Sequence, residues 1–200
     1  NFRAFIRGED NMAYSNDSDP LAPSVRFDET ELSTAIANSR YPEGIPPRHW
    51  RMVSFPGELD EPGISKPEVE GGHVFYEWSL GDSSWTVPDS VYLGKAYWFR
   101  HLYSDPLPFD PDSGTAIPLE PFSMTLKQGW NMVGSPFAFP VQVVSDPEVV
   151  SGIYFYGDST DKDGWEVQGY EMDPWAGYAV HSELEGATLE LLPYTDPGSD

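Results

Sequence analysis

The side chains of this 200-residue chain that could do acid–base or metal chemistry are 33 carboxylates and four histidines. Asp158-Ser159-Thr160-Asp161-Lys162-Asp163-Gly164 places three carboxylates in one glycine-closed turn. Hard cations need several converging oxygens, so Asp158, Asp161 and Asp163 are the first candidate calcium ligands. Asp105, with Asp110 and Asp112 in Asp110-Pro111-Asp112-Ser113-Gly114, is a second cluster of the same kind. Neither has the EF-hand register, because the closing bidentate Glu is missing. Asx-turn chemistry accounts for the same residues without a metal. The histidines are His49, His73, His101 and His181. None has metal-ligand spacing, and each lies in or beside an expected strand, which suits packing or surface roles.

Catalytic signatures are missing from the string. It holds no Gly-x-Ser-x-Gly elbow, no phosphate-binding loop and no dinucleotide fingerprint. It has no Cys, hence no disulfide framework and no thiol chemistry. The chain therefore reads as a non-catalytic protein with no cofactor other than a calcium ion.

Aromatic residues offer a different chemistry. Eleven Phe, 11 Tyr and 7 Trp make 14% of the chain. Flat rings can stack on sugar rings. Trp98 and Trp175, like Trp78, have no Trp counterpart elsewhere in the chain, and Trp98 and Trp175 are the candidates for glycan stacking. Half-buried packing explains them equally well, because exposed aromatics gain meaning only as patches.

The net charge of −22 repels phosphate and anionic lipid, which excludes nucleic acid and membrane surfaces as partners. No apolar run approaches the roughly 20 residues of a membrane-spanning helix. The chain opens on Asn1 rather than Met, as expected of a processed end or a cut fragment.

The elements that must position these residues come in two sets. Trp50-Arg51-Met52-Val53-Ser54-Phe55-Pro56 matches Trp130-Asn131-Met132-Val133-Gly134-Ser135-Pro136 at an offset of 80, with four of seven residues identical. Phe75-Tyr76 then aligns with Phe155-Tyr156, Trp85 with Trp165, and Ala96-Tyr97-Trp98-Phe99 with Gly177-Tyr178-Ala179-Val180. Such ordered matches indicate an internal duplication. Because Trp50, Trp85, Trp130 and Trp165 recur, they are expected in the core. Twenty Pro and 18 Gly leave little room for helices and suit short strands and turns. Strands are expected at 50–55, 73–79, 84–87 and 96–103, and again at 130–134, 153–157, 165–170 and 177–182. Residues 122–126 and 188–192 add two more. The fold expected is an all-β, sandwich-like unit. Its first repeat spans 47–121, and its second, packed against the first, spans 122–200.

Residues 1–46 form an appendage. Phe2, Ala4 and Ile6 line one side of a strand at the very start of the chain. Asp28 and Glu31 form a capping box for a helix running to about Asn38. A terminal strand can pair within its own sheet or add to the open edge of another copy. Repeated head to tail, the second arrangement builds a filament, so homo-oligomerisation is the self-association to expect.

The string Trp50 to Pro56, together with Gly129-Trp130-Asn131-Met132-Val133-Gly134-Ser135-Pro136-Phe137-Ala138-Phe139-Pro140-Val141, resembles paired β modules near the C-terminus of large secreted bacterial proteins. These modules often precede a sorting domain of the type IX secretion route. Trp175-Ala176-Gly177-Tyr178-Ala179-Val180 is similar to their aromatic-Gly-Tyr strand. The resemblance covers about 48–193 and carries no catalytic residue. It implies an exported β protein at the bacterial cell surface or in the extracellular matrix. The expected role is structural or interactive, with self-assembly through the first strand. The alternative is a carbohydrate-binding module that takes a glycan on exposed Trp and Tyr.

Overall fold

The computed structural model describes residues 40–60, 62, 72–79, 83–107, 114–146, 149–157 and 164–193. Three expected features lie outside them: the Phe2, Ala4 and Ile6 strand, the helix opened by Asp28, and the aspartates Asp110, Asp112, Asp158, Asp161 and Asp163. Among the described residues the fold is all-β, with fourteen strands and no helix. The first seven are β1 (Arg51–Ser54), β2 (Glu58–Leu59), β3 (His73–Ser79), β4 (Ser84–Thr86), β5 (Ala96–His101), β6 (Gly114–Thr115) and β7 (Phe122–Leu126). The others are β8 (Gly129–Gly134), β9 (Val141–Ser145), β10 (Val150–Tyr156), β11 (Trp165–Gln168), β12 (Glu171–Met172), β13 (Gly177–Ser182) and β14 (Ala187–Leu192).

The second half is a full sandwich. Sheet β11-β10-β13-β8 faces sheet β12-β9-β14-β7, all pairs being antiparallel. Alternation along the strands sends Val133, Ile153, Val180, Leu126, Leu189 and Leu191 into the space between. The first half has the matching sheet β1-β5-β3-β4. Its second layer, among the described residues, is slighter: the β2–β6 pair and an antiparallel bridge between Ile45 and Leu107. In β5, Tyr97, Phe99 and His101 point inward and are buried, whereas Trp98 and Arg100 on the other face are only half covered. Ile45, which the sequence put in a linker, is wholly buried here and accepts a hydrogen bond from His101 Nε2 at 2.7 Å.

The two halves meet across a pseudo-two-fold seam. Ser54 N–H donates to the Trp175 carbonyl at 3.1 Å, and Gly134 N–H donates to the Gly94 carbonyl at 3.0 Å. Ser54 and Gly134 correspond at an offset of 80, and Gly94 and Trp175 at 81, so the two bonds are symmetry mates. The phenol of Tyr97 accepts from Tyr92 N–H at 2.8 Å, and the phenol of Tyr178 accepts from Asp173 N–H at 2.8 Å. These repeated contacts fit the duplication read from the sequence.

Small residues let the sheets come this close. A Cβ at Gly134 would collide with Ser54, and one at Gly177 would strike Met52 and come within 2.7 Å of the Ala96 Cβ. The fit is possible because Gly134 faces a Ser and Gly177 faces an Ala.

One part of the sequence alignment is corrected by the register. Tyr76 lies opposite Trp98, which lies opposite Met52; Tyr154 lies opposite Ala179, which lies opposite Met132. Since Met52 and Met132 correspond, Tyr76 matches Tyr154 rather than Tyr156. The β10–β11 hairpin is two residues longer than β3–β4. Trp78–Trp85 and Tyr156–Trp165 are directly opposed pairs in both. The two extra residues fall between β10 and β11 in the sequence.

Candidate ligand groove at the seam

The recurring tryptophans are not in the core. Trp85, Trp130 and Trp165 are 45%, 44% and 47% exposed, and Trp50 is half-buried. They project from the sheet faces that point away from each sandwich core. Those faces touch near the two-fold axis and leave rings uncovered beyond it. Repetition here preserved a surface, not a core, because both halves present the same strand face to the seam.

Trp175 is corrected in the opposite sense. It is 1% exposed and packs edge-on against Phe55, with ring centroids 6.2 Å apart, inside the core of the first half. A second-half residue thus fills a first-half core and cannot stack on a ligand. It holds a left-handed φ of 65°, where its counterpart Gly94 has 75°. At Gly94 a built Cβ comes within 3.0 Å of Phe122 and 3.1 Å of Met124 of β7, so any side chain there would have to displace them.

Trp98 is the other ring expected to stack on a glycan. It is half-buried and lines a groove of about 650 Å³ with Trp50, Tyr76, Trp85, Tyr156 and Trp165. Four of these come from the first half and two from the second, so the groove straddles the seam. The rings touch in series. Trp98 meets Trp50 at 6.3 Å, Tyr156 at 4.9 Å and Trp165 at 5.9 Å between centroids. The interplanar angles are 87°, 76° and 80° respectively, so Trp98 stands edge-to-face to its neighbours. Trp50 also packs on Tyr76 at 5.8 Å, and Tyr156 on Trp165 at 5.5 Å. The result is a stepped aromatic cleft rather than a flat sheet of rings.

The duplicated positions show what Trp98 adds. Trp50–Tyr76 has its mate in Trp130–Tyr154, at 5.4 Å, and Tyr156–Trp165 has its mate in Trp78–Trp85, at 4.9 Å. Trp98 has Ala179 as its mate, buried at 2% exposure. Only on one side of the seam, therefore, does a central indole join the two ring pairs into one continuous surface.

Among the described residues, the side chains that line this groove are aromatic and uncharged. The Arg100 guanidinium lies 5.7 Å from the Trp50 ring centroid, over one face of that indole. Among the described lining residues, the polar groups are indole N–H and phenol O–H at ring edges.

The remaining candidates do not converge here. Asp105 is exposed, accepts a hydrogen bond from Ser104 Oγ at 3.0 Å, and lies in no group of metal-ligating residues among those described. His101 is buried, and His181 packs edge-to-face on Trp130 at 5.1 Å between centroids, with Glu183 3.3 Å from its Nδ1. Trp85 and Trp165, which the repeat had put in the core, line the groove together with Tyr156. The usable signal was their position on the half of each strand's alternation opposite to Tyr97 and Tyr178.

Comparison with protein-family models, curated proteins and solved structures finds no match.

Proposed function

We propose that this protein is a non-catalytic extracellular module that binds carbohydrate, with the seam groove as its ligand site. The observation that carries the reading is the six-ring lining of a groove of about 650 Å³, two of whose tryptophans are 45% and 47% exposed. That volume lies within the range of small-ligand sites, which are apolar with a few orienting polar groups. A sugar ring has this dual character: a C–H face for the indoles and hydroxyls for the N–H and O–H groups at their edges. The net charge of −22 favours a neutral glycan over a uronic or sulfated one. Export to a bacterial surface, which the module resemblance implies, would put such a site where glycans are.

The test is titration calorimetry against soluble neutral hexasaccharides, namely cellohexaose, laminarihexaose and xylohexaose. At least one should bind, and Trp165→Ala and Trp98→Ala should each weaken it about tenfold or more, roughly 1.4 kcal/mol. Trp165 is 47% exposed, so its removal should leave the melting temperature close to that of the parent. If none of the three sugars binds, or if both variants bind as well as the parent, the reading is wrong.

A further inference from the structure

The seam has a second mouth. On the other side of the pseudo-two-fold axis lies a groove of about 590 Å³, and its lining too comes from both halves. Trp50 and Tyr156 line the first groove; their counterparts Trp130 and Trp78 line the second. Strand contacts repeat in the same way, β1 approaching β10 as β3 approaches β8.

The second groove differs in two respects. With Ala179 in place of a central indole, Trp130–Tyr154 and Trp78–Trp85 are not joined by a ring between them. In exchange the rim is polar: Lys95 Nζ lies 3.3 Å from Glu77 Oε2, and both residues line the groove, as do Thr86 and Thr125. Trp130, 44% exposed, supplies a stacking face, and Met124 and Met132 add apolar lining. An exposed indole beside a carboxylate, an ammonium and hydroxyls suits a polyhydroxylated ligand, because one surface offers both C–H contact and paired donors and acceptors.

We infer that this second groove is a separate, weaker glycan site, which makes the chain bivalent for the sugar proposed above. The inference rests on that reading for the class of ligand, but not for the place of binding. Its use is avidity: two sites on one chain engage a polymer more tightly than either alone.

The experiment follows the seven indole N–H resonances by nitrogen–proton correlation NMR while cellohexaose, laminarihexaose or xylohexaose is added. Assignment uses one Trp→Phe variant per residue. Expected are two groups of shifts: Trp98 and Trp165 with the lower midpoint, and Trp130 with a higher one; Trp78 and Trp85, whose rings lie 4.9 Å apart and line one groove each, report on both and assign neither. Trp130→Ala should leave the first group unchanged. Glu77→Gln, which keeps every ring, should raise the second midpoint about tenfold and serves if Trp130→Ala does not fold. Shifts in the first group alone overturn the second site and leave the proposed function standing. Shifts in the second group alone overturn the first groove and the bivalency together. A spectrum unchanged by all three sugars refutes both.

Discussion

Gly134→Ser would make the second repeat identical to the first at the point where the two cross. The position does not need glycine for its backbone, since its φ is not in the left-handed region. It needs glycine for space: an added Cβ collides with the Ser54 Cβ. Overpacking of this kind costs about 1–3 kcal/mol. For a domain of this size each kcal/mol lowers the melting temperature by about 2–4 °C. Ser54→Gly alone should also destabilise, by about 0.5–1.5 kcal/mol for the buried hydrogen bond from Ser54 Oγ to the Ala176 carbonyl, which is 2.8 Å long. The double variant exchanges the two residues across the axis. The Lys95 carbonyl lies 3.3 Å from the Cβ built on Gly134, and it is the symmetry mate of the Ala176 carbonyl. A hydroxyl at 134 would therefore find an acceptor, and the collision would be gone. Urea unfolding of the four proteins gives the coupling energy directly. The double variant should lie within about 1 kcal/mol of the parent, with a favourable coupling of about 1–3 kcal/mol. A Gly134→Ser protein as stable as the parent, or a double variant no better than the sum of the single ones, would falsify the seam geometry.

Three further outcomes follow from the core. Trp175→Ala should cost about 3–5 kcal/mol in thermal or urea unfolding, because it empties a buried site. Trp175→Gly should be no worse than Trp175→Ala, reversing the usual order, since glycine relieves the left-handed φ of 65° by about 1 kcal/mol; a clearly less stable glycine variant would rule out that strain. Burial raises the Tyr178 phenol to about 12 and the Tyr97 phenol further, despite the backbone N–H that each accepts. In the unfolded chain both ionise near 10. The folded state then holds protons that the unfolded state loses, so stability is fully present below about pH 10 and falls as pH rises beyond it. Urea midpoints at pH 8 to 11 should show this drop, smaller in Tyr97→Phe; a flat profile would refute the burial of these hydroxyls.

Strand positions were legible because they depend on local alternation and turn residues. Phe122–Leu126 matches its expected bounds, and Arg51–Ser54 and Ala96–His101 lie within theirs. The duplication was legible too, since Trp-x-Met-Val and its copy survive in the string. What failed was the inference from repetition to burial. Trp85 and Trp165 recur and are exposed, whereas Trp175 does not recur and is buried. Strand β9 went unexpected because Val141–Ser145 follows a Phe-Pro turn and has no retained partner in the first copy's pattern.

Composition and alternation, which act within a strand or between neighbours in sequence, determined that this chain would be all-β, doubled, acidic and without thiol chemistry. Which face of each strand would be covered was decided only by tertiary structure. It depends on how two sheets cross, and that depends on Ser54 meeting Gly134 and Ala96 meeting Gly177, pairs some 80 residues apart. An indole carries no mark of whether another sheet will lie over it, so the same pattern of tryptophans could have specified a core or the walls of a groove.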